Sequence, residues 1–304
     1  MQPSSLRIKD VLEKTTQFFR EKGIESARLD TELLISSALK WERLKLYLNY
    51  DYPLSEEELA ACRELVRRRA SGEPVAYILG KKDFYKHSFI VNPAVLIPRP
   101  ETELLVEGTI RWLNENCVES PARFVDFGTG SGCIGLSIAA EVEGSQWLGV
   151  DKSPQAIEVA QTNAMELGLT DRSHFLVSDV AELEAEKVTE ILGDVPDAVV
   201  ANPPYIAVND PEVDPSVRRF EPDEALFSGA DGLEHIRIWE VKAAELVRPG
   251  GLVIFEIGYK QGPIAHEIFS SSGRFEDIQI LKDYSGFDRF VRAVRKSGKA
   301  DHHG

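Results

Sequence analysis

The sequence predicts an α/β protein, with a doubly wound parallel sheet preceded by a small all-helical domain. From about residue 101 short apolar segments alternate with helical ones, the order a parallel sheet with crossover helices requires. The first eighty residues show helical apolar spacing and no convincing strand alternation. The length of 304 residues is enough for two domains.

In the first segment Ile8, Val11, Leu12 and Phe19 fall on one helical face, and Leu29, Leu33 and Leu34 begin a second stripe. Ser55-Glu56-Glu57-Glu58 reads as a capping box, Ser55 as N-cap and Glu58 at N3, leading into Leu59, Cys62, Leu65 and Val66. Residues 1–80 are therefore expected to form the helical domain. Glu73–Gly80 and Phe84–Val91 read as extended or hairpin segments, and Pro93, Pro98 and Pro100 break any helix. Residues 81–100 are assigned to a hairpin or extended linker, and residues 101–297 to the main domain.

Within it, Phe124–Phe127 reads as a strand with a helix after Gly132. Trp147–Val150 is the next strand, and Ser153-Pro154 caps and opens a helix running to Leu167. Phe175–Val177 and Ala198–Val200 follow as strands, then a helix from Leu233 to Leu246. Pro249-Gly250-Gly251 turns into the strand Leu252–Phe255. Residues 298–304 read as a disordered tail, with His302-His303 part of it and no metal pair expected.

The composition narrows the function classes. No apolar run is long enough to cross a membrane. Met1–Ser5 lacks the charged-then-apolar layout of a signal peptide. Cys62, Cys117 and Cys133 are far apart, which argues against a disulfide framework or zinc site and fits a reducing cytoplasm. Net charge is −15, and it is unevenly placed. Residues 1–80 hold 13 Lys/Arg and 13 Asp/Glu, so the remainder carries all of it. An acidic main domain is poorly suited to a phosphate backbone, so direct nucleic-acid binding is not expected. Arg67-Arg68-Arg69 reads as a solvated helix end.

Two stretches carry chemistry. Asp126-Phe127-Gly128-Thr129-Gly130-Ser131-Gly132 joins a strand to a helix, where glycines allow a tight turn and close ligand approach. Asp151, 23 positions beyond Gly128, ends the second strand, where a carboxylate can accept both ribose hydroxyls of an adenosine. Gly130, Gly132 and Gly135 also satisfy GxGxxG, so a nicotinamide dehydrogenase is the competing reading. Asp126 would repel a pyrophosphate but could help hold a methionine ammonium. S-adenosylmethionine fits adenosine, cationic tail and an electrophilic methyl together.

The second stretch, Asn202-Pro203-Pro204-Tyr205, ends a buried strand where α/β sheets place their sites. The prolines stiffen it, and Pro203 holds Asn202 extended. A planar substrate NH₂ could donate to the Asn202 side-chain oxygen and the Pro203 carbonyl, with Tyr205 packing on its face. Such a clamp suits alkylation of an amide or an exocyclic amine. The dehydrogenase reading gives it no role.

With these, Gly72–Gly80, Leu96-Ile97-Pro98-Arg99-Pro100-Glu101-Thr102-Glu103, Phe220-Glu221-Pro222 with Gly229–Leu233, and Pro249–Gly251 with Glu256-Ile257-Gly258 make the chain resemble the peptide chain release factor glutamine methyltransferases, the PrmC/HemK family. The resemblance implies a class I, Rossmann-like, S-adenosylmethionine-dependent methyltransferase domain. It also implies methylation of the glutamine side-chain nitrogen in the Gly-Gly-Gln motif of class 1 release factors, its protein partners. By position, Gly128, Thr129, Gly130, Ser131, Gly132 and Asp151 would bind the cofactor, with Asp126, Asp179 and Val180 beside them. Asn202 would touch cofactor and glutamine, and Pro203, Pro204 and Tyr205 would complete the glutamine site. Where an aromatic residue can follow the third-strand Asp, Val180 stands here. Glu101, Glu103 and Glu256 are candidate electrostatic helpers, but each reads more readily as structural or exposed.

Three rivals remain at this stage: a ribosomal-protein glutamine methyltransferase, a DNA adenine or rRNA guanine methyltransferase, and a non-enzymatic scaffold keeping the fold. The Pro-Arg-Pro-Glu-Thr-Glu stretch and the acidic domain favour the release factor enzyme.

Overall fold

The computed structural model describes residues 6–117 and 120–297, so the expectations for the extreme N-terminus and the 298–304 tail lie outside the described residues. The chain divides into two compact units. One is Met1–Lys81 together with Pro215–Phe220, and the other is Lys82–Asp214 with Glu221–Gly304.

The smaller unit contains α1 (Ile8–Glu21), α2 (Ala27–Leu39), α3 (Arg43–Leu48), α4 (Glu56–Ala70) and α5 (Val75–Leu79). Ser55 caps α4 as expected. Its hydroxyl accepts from Glu58 N at 3.2 Å while Ser55 N donates to the Glu58 carboxylate at 2.8 Å. Ile8, Leu12, Ile35, Leu46 and Leu59 form its apolar core. Arg67, Arg68 and Arg69 occupy the last turn of α4, where cations suit the helix dipole. They are not simply solvated. Arg67 pairs with Glu64, Arg68 with Glu73, and the largely buried Arg69 with Asp30 at 2.7 Å.

One expectation needs correction here. Val75–Leu79 is helical, not extended. Pro74 precedes it with ψ 139°, and Gly80 closes it in the left-handed region. The β-branched and aromatic side chains masked that helix signature. Pro215–Phe220, a short helix α6 that the sequence leaves in the main domain, groups by packing with the smaller unit. It packs on the end of α4, with Phe220 3.5 Å from where a Gly72 Cβ would stand and Arg219 Nη1 donating to Ser71 O.

The larger unit opens with a hairpin of β1 (Lys81–Phe84) and β2 (His87–Ile90). Helix α7 (Glu103–Asn116) follows, then β3 (Arg123–Phe127), α8 (Cys133–Glu141), β4 (Gln146–Asp151), α9 (Pro154–Glu166) and β5 (Ser173–Val177). Next come α10 (Ala185–Leu192), β6 (Ala198–Ala201), α11 (Asp223–Leu226), α12 (Glu234–Leu246), β7 (Leu252–Glu256), α13 (Gly262–Ser271), β8 (Phe275–Lys282) and β9 (Asp288–Arg295). The seven-stranded sheet has the order β5-β4-β3-β6-β7-β9-β8. It is parallel from β5 to β7, and β9 runs antiparallel to both β7 and β8.

Strand residues alternate between two cores, as a pleated strand buried on both faces must. Val125, Phe127, Val150, Val199 and Phe255 face α12 and α13 through Trp239, Ala265 and Phe269. Phe124, Trp147, Val200 and Ile254 face α7 and α8 through Leu105, Val106 and Leu136. Phe124 and Trp147 stack at 5.9 Å between centroids.

The order positions the site. From β3 the chain moves outward to β4 and β5, then returns to build β6 and β7 on the other side. The switch therefore falls between β3 and β6, where such sheets bind ligands beyond the strand C-termini. Register aligns Phe127 with Val150 on one side and Ala201 on the other. The loops beginning at Gly128, after Asp151 and at Asn202 thus emerge side by side.

Candidate active site

Those loops and the segment Pro93–Thr102 enclose a cavity of about 480 Å³, wholly within the larger unit. That is a size suited to a small-molecule ligand. Of the expected site residues, Gly128, Thr129, Gly130, Ser131, Asp151, Asp179, Val180, Asn202 and Pro204 line it.

The glycine loop is held from within. Asp126 is fully buried, and its Oδ2 accepts from Thr129 Oγ1 at 2.7 Å and from Gly135 N at 3.3 Å. Burial pushes its carboxyl up to about 7. Asp151 accepts from Gly130 N through Oδ2 and from Ser153 N through Oδ1, both at 2.9 Å. Burial raises its pKa as well. Gly128 has φ 64°, and a Cβ there would stand 2.8 Å from the Trp239 ring, so both conformation and space require glycine.

This bonding bears on the ligand class. Thr129 N donates to Val150 O, Gly130 N to Asp151, Gly132 N to Thr129 O and Gly135 N to Asp126. These amides, which a dinucleotide loop would aim at phosphate, are spent inside the protein. The cations on the wall are engaged too, Arg99 with Glu221 at 2.6 Å and Lys152 with Glu224 at 3.4 Å. What faces the cavity is a carboxylate at the end of β4 and an apolar wall that includes Val180, Ile134 and Ala156. An acceptor carboxylate beside an apolar wall fits vicinal hydroxyls and an adenine ring, and it disfavours a pyrophosphate.

Four expected residues lie elsewhere. Asp126 sits beneath the loop, where its Oδ2 supports Thr129 and Gly135 while its buried Oδ1 has no partner among the described residues, and it does not line the cavity. Gly132, at φ 77°, turns the chain into α8, its Cβ position lying 3.0 Å from Leu136 and 3.2 Å from Ala160. Pro203 and Tyr205 are not among the residues that line the cavity. The Tyr205 hydroxyl donates to Glu256 Oε1 at 3.3 Å.

Residues 10–80 match the PrmC N-terminal domain, and residues 119–256 match a methyltransferase domain. The chain is 42% identical over 291 residues to the release factor glutamine methyltransferase of Geobacter sulfurreducens, covering 95% of this chain and 97% of that one. This chain belongs to the release factor glutamine methyltransferase family. The Rhodopirellula baltica member is 38% identical, with 92% and 94% covered. The hMettl16 catalytic domain shares the fold at a TM-score of 0.52 and 17% identity, covering 77% of this chain and 82% of that one.

As a member of this methyltransferase family the protein is an enzyme, and several residues around its cavity carried no sequence signal for a role. Glu221, 5% exposed, binds Arg99 and accepts from Ile97 N at 3.1 Å, which ties down the Pro-Arg-Pro segment. Gln261 pins the Asn202 loop, donating from Nε2 to Tyr205 O at 2.9 Å and to Gly232 O at 3.2 Å. Gly232 must be glycine, because at φ 76° its Cβ would stand 2.4 Å from Tyr205 O. Glu103 accepts from Tyr85 N at 3.0 Å and anchors the hairpin, while Glu101 is exposed. Of the three candidate helpers only Glu256 reaches the Asn202 loop. Among the described residues no His/Cys/Asp/Glu group is arranged to hold a metal, and no helix is long and apolar enough to cross a membrane.

Proposed function

We propose that this enzyme transfers a methyl group from S-adenosylmethionine to the side-chain amide nitrogen of the glutamine in the Gly-Gly-Gln motif of class 1 peptide chain release factors. The observation that carries this reading is that one cavity is lined both by an adenosine-type cradle, Gly128–Ser131 with Asp151, and by Asn202. Its family membership supports the glutamine as acceptor.

Asp151 and the loop would hold the cofactor, with Val180 against the adenine; when bound, the cofactor supplies an electrophilic methyl on a sulfonium. Asn202 Oδ1 would accept one N–H of the substrate amide; Pro203 is not part of the cavity lining, and its main-chain carbonyl, next along the loop, is the proposed acceptor for the other, while Pro204 forms the wall. An amide nitrogen is delocalised and hardly basic, so orientation supplies much of the catalysis. The two acceptors bind more strongly as the nitrogen gains positive character, which favours the transition state over the ground state. No strong base is required at the start; as the N–CH₃ bond forms and the C–S bond breaks, the nitrogen gives up one proton late, to water or a nearby carbonyl.

The test is incubation with labelled S-adenosylmethionine and, in parallel, a class 1 release factor, ribosomal protein and nucleic acid. Label in the release factor alone is expected. Label in ribosomal protein or nucleic acid instead would transfer the assignment to one of the rivals.

The helical unit, in this reading, docks the release factor and does no chemistry. Truncation at residue 81 is a poor probe, because Pro215–Phe220 would lose the surface it packs on. Leu44 and Leu48, 67% and 75% exposed, offer a cleaner one. Replacing both with Glu should raise KM for full-length factor about tenfold, the loss of about 1.4 kcal/mol of binding, and leave a Gly-Gly-Gln peptide unaffected. Equal loss on both substrates would remove this face of the unit from docking.

A further inference from the structure

Asn202, Thr102, Glu256 and Tyr205 form one hydrogen-bonded chain. Asn202 Nδ2 donates to Thr102 Oγ1 at 3.3 Å, and Thr102 Oγ1 donates to Glu256 Oε2 at 2.6 Å. Tyr205 closes it on the other carboxylate oxygen. Asn202 and Thr102 line the cavity, whereas Glu256, at the end of β7 and 1% exposed, lies behind them.

A hydroxyl has one proton to give. Thr102 commits it to the carboxylate, so only lone pairs remain toward Asn202. The NH₂ end of the amide must meet them, which leaves Oδ1 for the cavity. We propose that Glu256 is a positioning residue that, through Thr102, fixes the Asn202 amide with its oxygen toward the substrate nitrogen. The consequence for rate rests on the glutamine-methylation reading; the orientation itself does not.

The chain has a polarity, and a proton on Glu256 would reverse it. Glu256 would then donate to Thr102, Thr102 to Asn202 Oδ1, and the amide would turn its NH₂ to the cavity, opposing a substrate N–H. Burial pushes Glu256 up to about 7, against Thr102, Arg289 of β9 and Tyr205, which pull it down, while Glu101 raises it further. The buried Cys133 thiol at the head of α8 also feels this carboxylate. The reversal therefore falls close to neutral pH, and methyl transfer should decline on the acid side as Glu256 takes up its proton.

The orientation can be read without substrate, in the full-length protein labelled with ¹⁵N-asparagine. The Asn202 side-chain NH₂ pair, identified by its loss in Asn202→Ala, should shift as pH passes from acid through neutral. That titration should vanish in Glu256→Gln and in Thr102→Val, which are near-isosteric changes. With substrate, both variants should turn over about tenfold to a hundredfold slower, with cofactor affinity within about threefold, and Thr102→Ser should keep most of the rate. The acid limb of the kcat profile should be absent in Glu256→Gln. An Asn202 pair that behaves identically in wild type and both variants would overturn the proposal. A pair that responds as expected, in a protein that methylates no glutamine, would uphold the orientation and remove the functional reading.

Discussion

Asn202→Ala should slow methyl transfer by roughly two to three orders of magnitude, the loss of about 3–4 kcal/mol that removal of one preorganised polar contact at a reacting centre costs. The substitution removes the side-chain oxygen proposed to accept a substrate N–H. Cofactor affinity should change far less, since Asp151 and the glycine loop stand on other strands. Asn202→Asp retains an acceptor of similar shape. It also places a second oxygen where Nδ2 now donates to Thr102 Oγ1, and that oxygen cannot donate. Asp should therefore be slower than wild type and faster than Ala. Single-turnover transfer to a glutamine-containing substrate separates the three. Near wild-type transfer by Asn202→Ala would reduce the tetrapeptide to a rigid turn.

Asp151→Ala should weaken S-adenosylmethionine binding roughly tenfold to a hundredfold, from loss of charge-assisted hydrogen bonds of about 1.5–3 kcal/mol. The geometry adds a second route to the same loss. Asp151 also holds Gly130 N and Ser153 N, so its removal loosens the cradle as well as the ribose contact. Asn at this position should not restore binding fully, because its NH₂ would meet one of those two N–H donors. Calorimetric titration reads both variants. Unchanged affinity would remove Asp151 from the cofactor site, and tight binding of a nicotinamide cofactor would overturn the reading.

The parts of the fold written in local chemistry were legible in the sequence. Ser55 and Glu58 cap α4, Ser153-Pro154 opens α9, and the short apolar runs became the parallel strands, because each signal acts within a few residues. The antiparallel β8 and β9 went unrecognised. Their residues are mostly half-exposed, and β8 carries a positive-φ Asp277 and a register shift, so no clean alternation survives. The assignment of Pro215–Phe220 to the helical unit depends on packing between segments more than 130 positions apart, which no local pattern records.

The candidate site divides in the same way. Glycine loop, Asp151 and Asn202 could be placed because backbone conformation and strand ends dictate them. The Tyr205 hydroxyl's bond to Glu256 could not, since its partner lies 51 positions away. Thr102 stood within a quoted motif without a role, because its partners, Asn202 and Glu256, are 100 and 154 positions away. Asp126 was placed at the right loop, but its support of Thr129 and Gly135 was not legible, because the folded loop alone brings those partners to its Oδ2.

The most direct test of the central claim is to locate the transferred methyl group. Full-length class 1 release factor, incubated with the enzyme and S-adenosylmethionine, would be digested and its fragments sequenced by mass spectrometry. One added methyl on the side chain of the Gly-Gly-Gln glutamine is the predicted result, absent when Asn202→Ala replaces the wild-type enzyme. A methyl group on any other residue, or an unmodified release factor alongside a methylated ribosomal protein or nucleic acid, would contradict it.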